Sequence, residues 1–199
     1  SKVSVVRNEF TCDEYGSKVQ RSAEEHQVLR VRGRQYQVLR LRGYLFFGSI
    51  VGLVNQIRSK IKRSYASDPQ PLKAVVLDFR YVNGMDSSTA LSLVKLRQTI
   101  EEKKMQLVFT ALSDDMEKAL RRERCLRDDN VVLTFKDLDM ALEWSEQRAL
   151  SMEPSLSRVD LPFVQRLAKE FGSLDLAIRF MDYVERIELK KGEYLFRQG

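Results

Sequence analysis

Val75, Val76 and Leu77 form an unbroken aliphatic run that passes through Asp78 and Phe79 to Asn83-Gly84, and the chain then reads Asp86-Ser87-Ser88-Thr89-Ala90-Leu91. A β-branched run without polar alternation predicts a strand buried on both faces, which only a sheet covered on both sides can provide. Asn83-Gly84 predicts a turn behind that strand. Ala90, Leu91, Leu93, Val94, Leu96 and Ile100 then recur at helical spacing, with the short polar side chains of Asp86 and Ser87 just ahead of them, where a helix is capped. A core strand feeding directly into a helix is the unit of an α/β fold. Helix N-termini carry unpaired N–H groups and partial positive charge, so Asp86 and Ser87 mark either a cap or an anion site.

The flanking sequence supports the same architecture. Phe47, Ile50, Val51, Val54, Ile57 and Ile61 predict an amphipathic helix ending near Tyr65, where Asp68-Pro69-Gln70-Pro71 forbids continuation. Its last turns carry Arg58, Lys60, Lys62 and Arg63, a basic cluster suited to an anionic membrane surface or to a solvated helix face. Downstream, Gln106–Thr110 predicts a strand, Ser113-Asp114-Asp115 caps a helix, residues 131–135 predict another strand, and Asp137 caps a further helix. Upstream, Val28-Leu29-Arg30-Val31-Arg32-Gly33 is echoed by Val38-Leu39-Arg40-Leu41-Arg42-Gly43, which predicts two successive strands or a hairpin whose arginines form a solvated face. Residues 1–27 read as a linker or irregular lead-in, with Val3, Val5 and Val6 permitting a strand. The sum is a mixed, mainly parallel sheet flanked by helices over residues 28–150.

Residues 151–160, which include Pro154, read as a linker. Beyond it, 161–171 and 174–184 are helical patterns split at Gly172-Ser173, and Ile187-Glu188-Leu189 with Tyr194-Leu195-Phe196 predicts the start of a β-roll that the sequence does not complete. A formal net charge of +6 in 199 residues points to an anionic neighbour. No apolar run approaches the ~18 residues needed to span a bilayer. Two distant cysteines, Cys12 and Cys125, and a single histidine, His26, give no metal-ligand spacing, so no metal or other cofactor is expected. Arg121-Arg122-Glu123-Arg124 mixes signs and lacks stacking aromatics, which argues against nucleic acid. No Gly-rich phosphate loop and no nucleophile–base pairing can be assembled, so the chain does not read as an enzyme.

The order of these elements, the Val76-Leu77-Asp78-Phe79…Met85-Asp86-Ser87-Ser88 run, and the Tyr44-Leu45-Phe46-Phe47-Gly48 helix opening resemble the STAS domain. That module is shared by anti-sigma-factor antagonists and the cytoplasmic tails of SulP-type (sulfate permease) anion transporters. Residues 161–199, with Lys191-Gly192-Glu193 and Gln198-Gly199, resemble the opening of a cyclic-nucleotide-binding-like domain. The combination implies the regulatory tail of an anion transporter, sulfate being the usual cargo, on the cytoplasmic side of a membrane. Its implied role is assembly, trafficking or gating through protein contacts, with its own transmembrane part, regulatory proteins and an anionic lipid surface as partners. By the other branch of the resemblance, Ser87, with Ser88 beside it, is a phosphorylation site of a soluble partner-switching protein. Thr89, where the antagonists have a small glycine near the serine, favours a helix cap over that switch.

Overall fold

The computed structural model describes residues 4–152, 167–173, 175–180 and 183. The chain divides into two compact units, residues 1–150 and 151–199. The first is built in the order β1 (Val6–Thr11), α1 (Ala23–Arg32), a 3-10 turn (Gly33–Gln35), β2 (Tyr36–Leu45), α2 (Phe47–Ser67), β3 (Ala74–Met85), α3 (Ser87–Glu102), β4 (Gln106–Thr110), α4 (Asp114–Arg122), β5 (Val132–Phe135) and α5 (Leu138–Ser151). In the second, 167–171 and 175–180 are helical, and Gly172 between them takes a φ of 66°, the left-handed conformation that favours glycine at a helix end. The β-roll expected after residue 184 lies outside the described residues.

The five strands form one sheet in sequence order, with β1 antiparallel to β2 and every later pair parallel. Each parallel step goes the same way across the sheet. Right-handed crossovers therefore place α2, α3 and α4 on one face. Leu39, Leu77, Phe79, Leu107 and Phe109 point to that face and pack in one core with Ile50, Leu93 and Leu120. The alternate residues Val38, Val76 and Val108 point the other way and pack with Leu29 of α1 and with Ala141 and Leu142 of α5. Val75, Val76 and Leu77 are completely buried, as an unalternating run at the sheet centre requires.

Two expectations are corrected. Residues 28–33 are helical, forming the end of α1 and the turn after it, so there is no hairpin. Ser22 caps this helix reciprocally with Glu25: the Ser22 hydroxyl accepts from Glu25 N–H at 3.1 Å, and Ser22 N–H donates to the Glu25 carboxylate at 2.8 Å. Val28, Leu29, Val31 and Arg32 then share the buried helical face. The four arginines of the echo accordingly have different fates, Arg30 and Arg42 being exposed, Arg32 buried, and Arg40 ion-paired to Asp78. Asn83-Gly84 makes no turn, because β3 continues to Met85 paired with Leu45. Two irregularities in that ladder, between Arg40/Arg42 and between Gly43/Tyr44, let twelve residues of β3 lie beside ten of β2. The strand that the lead-in permitted is present as β1, an ordered edge strand on β2.

Gly33 shows how closely α1 is seated. A Cβ there would lie 2.5 Å from the backbone nitrogen of Asp13 and 2.8 Å from the carbonyl carbon of Cys12. Gly33→Ala forces main chain apart and should destabilise the first unit by about 1–3 kcal/mol, a loss of several degrees in Tm by thermal denaturation. An unchanged Tm would show that α1 is not held against this strand end.

Candidate functional site

The ends of β2 and β3 and the starts of α2 and α3 meet at Asp86. One oxygen of its carboxylate accepts from Thr89 N–H at 2.8 Å and from the Thr89 hydroxyl at 2.9 Å. The other accepts from Phe47 N–H, the first of α2, at 3.2 Å. A single side chain thus caps its own helix and satisfies an orphan donor of the neighbouring one. Asp86 N–H donates to Leu45 O at 3.0 Å, and the Thr89 hydroxyl, 2.9 Å from this carbonyl as from the carboxylate, shares its one proton between the two acceptors. Thr89 is completely buried and is a strut between α3 and β2. Partial burial would raise the Asp86 carboxyl pKa, but the hydrogen bonds from Thr89, Phe47 and Ser88 outweigh it and hold the group below the ordinary aspartate range.

The surface around this junction is apolar. Tyr44, Phe46 and Phe47 are 54, 51 and 61% exposed, and Leu91 of α3 is 52% exposed. Ser87 is also exposed and lies four residues before Leu91, hence on the same side of α3. Ser88 is half-buried, and its carbonyl accepts from the Ser92 hydroxyl at 2.9 Å. Sequence reading identified the polar side chains here and missed the aromatic ones as a surface. The signal was present in three aromatics, Tyr44, Phe46 and Phe47, within four residues where β2 runs into α2.

The basic cluster is divided. At about 100° per residue, Arg58, Lys60, Lys62 and Arg63 spread around α2. Arg58 turns toward α3 and donates to the Thr99 hydroxyl at 2.9 Å. Lys60 turns toward β1 and pairs with Glu9 at 2.8 Å. Lys62 and Arg63 are exposed.

Other charged groups serve the scaffold. Asp78, 1% exposed, lies inside β3, where it accepts from Arg40 at 3.1 Å and from the Thr110 hydroxyl at 2.9 Å. Arg40 and Arg7 both lie over the Tyr81 ring, at 5.2 and 4.2 Å from its centroid. Glu146, 3% exposed, ties residues 16–21 to α5 by accepting from Ser17 N–H, the Ser17 hydroxyl and Arg21. Burial pushes the thiols of Cys12 and Cys125 up to about 12, which keeps them protonated and unreactive at neutral pH.

Asp86→Ala should lower stability by roughly 0.5–2 kcal/mol, the usual cost of losing a cap. Because the folded-state pKa lies below the unfolded value of ~3.9, this contribution is complete above that value and is lost as pH falls through the folded one. Urea titrations should therefore show the gap between wild type and Asp86→Ala constant near neutral pH and closing as the pH falls below about 4. A gap independent of pH would exclude the ionised carboxylate as its source.

The vacuolar basic amino acid transporter VSB1 of Saccharomyces cerevisiae is 28% identical over 155 residues, which are 75% of this chain and 15% of that protein. The chain thus spans about 15% of the length of this curated relative. Among solved structures, a sulfate transporter family protein from Wolinella succinogenes matches at 19% identity and a TM-score of 0.45, covering 59% of this chain and 88% of that one. The anti-sigma factor antagonist SpoIIAA in its unphosphorylated form matches at 19% identity and a TM-score of 0.42, covering 58% and 91%. The STAS domain model matches residues 27–140, which run from α1 through the start of α5 and include the whole Asp86 junction. With more than half of its residues in that match, the chain belongs to the STAS domain family.

Proposed function

We propose that the chain is the non-catalytic, regulatory STAS domain of a SulP-type membrane transporter, held on the cytoplasmic side. It acts in assembly, trafficking or gating by docking its exposed aromatic surface on the transmembrane part of its own protein. The observation that carries this reading is the patch of Tyr44, Phe46, Phe47 and Leu91 around a rigid cap. Clustered exposed apolar side chains on a folded domain mark a contact surface. The relative's match extends over more residues than the family model covers, and that relative is named as a transporter. No helix among the described residues is long and apolar enough to cross a membrane, so the transport path belongs to another part of such a protein.

Two cargo classes follow from the likenesses. The family resemblance suggests sulfate, and the 155-residue relative suggests basic amino acids. The relative is the longer match, so we favour a cationic amino acid. Uptake of arginine and of sulfate by membranes containing the full-length parent protein separates the two. Arginine uptake without sulfate uptake is the expected result, and sulfate uptake alone would restore the other reading.

The docking role is tested by Phe46→Ser together with Phe47→Ser. In the full-length protein this pair should reduce the delivered amount or the transport rate severalfold, while the chain studied in isolation keeps its circular dichroism and Tm. Undiminished transport would remove the patch from the mechanism. A second reading rests on the exposure of Ser87: its phosphorylation would switch binding of a regulatory partner. Ser87→Asp and Ser87→Ala should then behave differently in partner binding, and identical behaviour would sink the switch. We favour docking, since Asp86 already takes the N–H groups that a phosphate at this helix start would use.

A further inference from the structure

The sheet face that carries α1 and α5 is covered over Val38, Val76 and Val108 and open beyond them. Along β2 the residues on this face run Val38, Arg40, Arg42, Tyr44, and they pass from buried through half-buried to exposed. Leu39, Leu41 and Leu45, which alternate with them, stay buried on the opposite face. On β3, Tyr81 pairs with Arg42 and is 41% exposed. Ladder partners share a face, and the Tyr81 ring lies beneath the Arg40 guanidinium accordingly. Arg7 reaches the same ring from β1, where the ladder shifts between Val6 and Asn8 and the strand bulges. Three strands thus bring arginines and tyrosines to one open surface.

The charge on this surface is one-sided. β1, β2 and β3 hold only two carboxylates, Glu9 and Asp78. Glu9 pairs with Lys60 of α2, which packs on the opposite face. Asp78 is sealed beneath Arg40, which neutralises it. Arg7, Arg42 and Arg80 are all exposed and have no carboxylate partner among the described residues. A guanidinium stacked on a ring keeps its in-plane N–H donors for other partners and loses little freedom in using them. Arg7 and Arg40 on Tyr81 are held in that way.

Small ligands bind in concave sites, whereas this is an open strand surface, so its partner is extended. Guanidinium groups pair bidentately with phosphates, and tyrosine sets an apolar ring and a polar tip at a lipid–water boundary. We propose that this face binds the surface of an anionic phospholipid membrane, with Arg7 and Arg42 on lipid phosphates and Tyr44 and Tyr81 at the level of the headgroups. The lipid contact that the sequence suggested for Arg58, Lys60, Lys62 and Arg63 moves from α2, which disperses its cations, to β1 and β2, which gather theirs. The inference rests on the arginine-bearing face and not on the docking reading.

Sedimentation of the 199-residue chain with phosphatidylcholine vesicles, with and without roughly 30% phosphatidylserine, tests it. Capture on the anionic vesicles alone is expected, falling as salt rises from about 0.05 to 0.5 M. Arg7→Gln with Arg42→Gln should weaken capture about tenfold or more. Arg7→Lys with Arg42→Lys should retain most of it, which separates loss of charge from damage to the strands. Lys62→Gln with Arg63→Gln, the same change in net charge at exposed positions of α2, should leave capture within about twofold of wild type. The proposal is overturned by absence of capture on anionic vesicles, by equal capture on neutral ones, by indifference to salt, or by a loss in the Lys62/Arg63 variant as large as in the Arg7/Arg42 variant. Saturable binding of a soluble glutamate-rich peptide without vesicle capture would also overturn it, assigning the face to an acidic protein partner.

Discussion

The Asp86 carboxylate takes hydrogen bonds from the first N–H of α2 and from the first turn of α3, so two helix N-termini converge on one anion. Without it, two partial positive charges and several unpaired donors would face each other at the ends of adjacent strands. Parallel pairing of β2 with β3 makes this convergence unavoidable, because both strands deliver their helices at the same edge of the sheet. The Thr89 hydroxyl then links the same carboxylate to Leu45 O, closing the loop through the end of β2. The aromatic surface outside depends on this bond set, since Phe46 and Phe47 sit on the backbone that Asp86 fixes.

Much of the fold was legible in the sequence because periodicity and burial coincide there. The continuous run at Val75–Leu77 is the sheet centre, β4 starts and ends where its apolar run does, and Ser113 and Asp137 cap helices as their positions suggested. The failures occurred where one pattern satisfies two periods. Residues 28–33 alternate like a strand, yet Val28, Leu29, Val31 and Arg32 also share a helical face, and the Ser22–Glu25 capping box was the residue pair that decides between them. Asn83-Gly84 has turn chemistry, but a strand paired along its length with β2 keeps its ladder, and the close approach of the Tyr44 ring to Gly84 needs a residue without a side chain. A glycine can therefore mark a crossing side chain as readily as a turn.

The candidate site was half legible for a related reason. Capping by Asp86 is local, involving a partner three residues away, and spacing alone suggests it. The Phe47 and Leu45 contacts span 39 and 44 residues, and only the parallel register brings them together. The basic cluster fails in the opposite direction. Four cations within six residues look like one patch, but a helix distributes them, sending Arg58 to Thr99 and Lys60 to Glu9. Proximity along a helix specifies opposite faces as often as shared ones.

The same reasoning separates docking from switching at the junction. A contact surface gains affinity when its side chains are already fixed, because less freedom is lost on binding. Aromatic residues mounted on a doubly capped helix start satisfy that condition. A phosphate switch that works by ordering a helix end needs the reverse, donors to spare and little negative charge nearby. Here the Asp86 carboxylate holds the Thr89 and Phe47 N–H groups, and its lowered pKa keeps it charged throughout the neutral range. A phosphate added to the adjacent Ser87 would meet that charge with the best donors already taken, and like charges in one helix turn repel. The junction is thus electrostatically complete, and docking through its aromatic surface, as proposed, needs no change of charge state there.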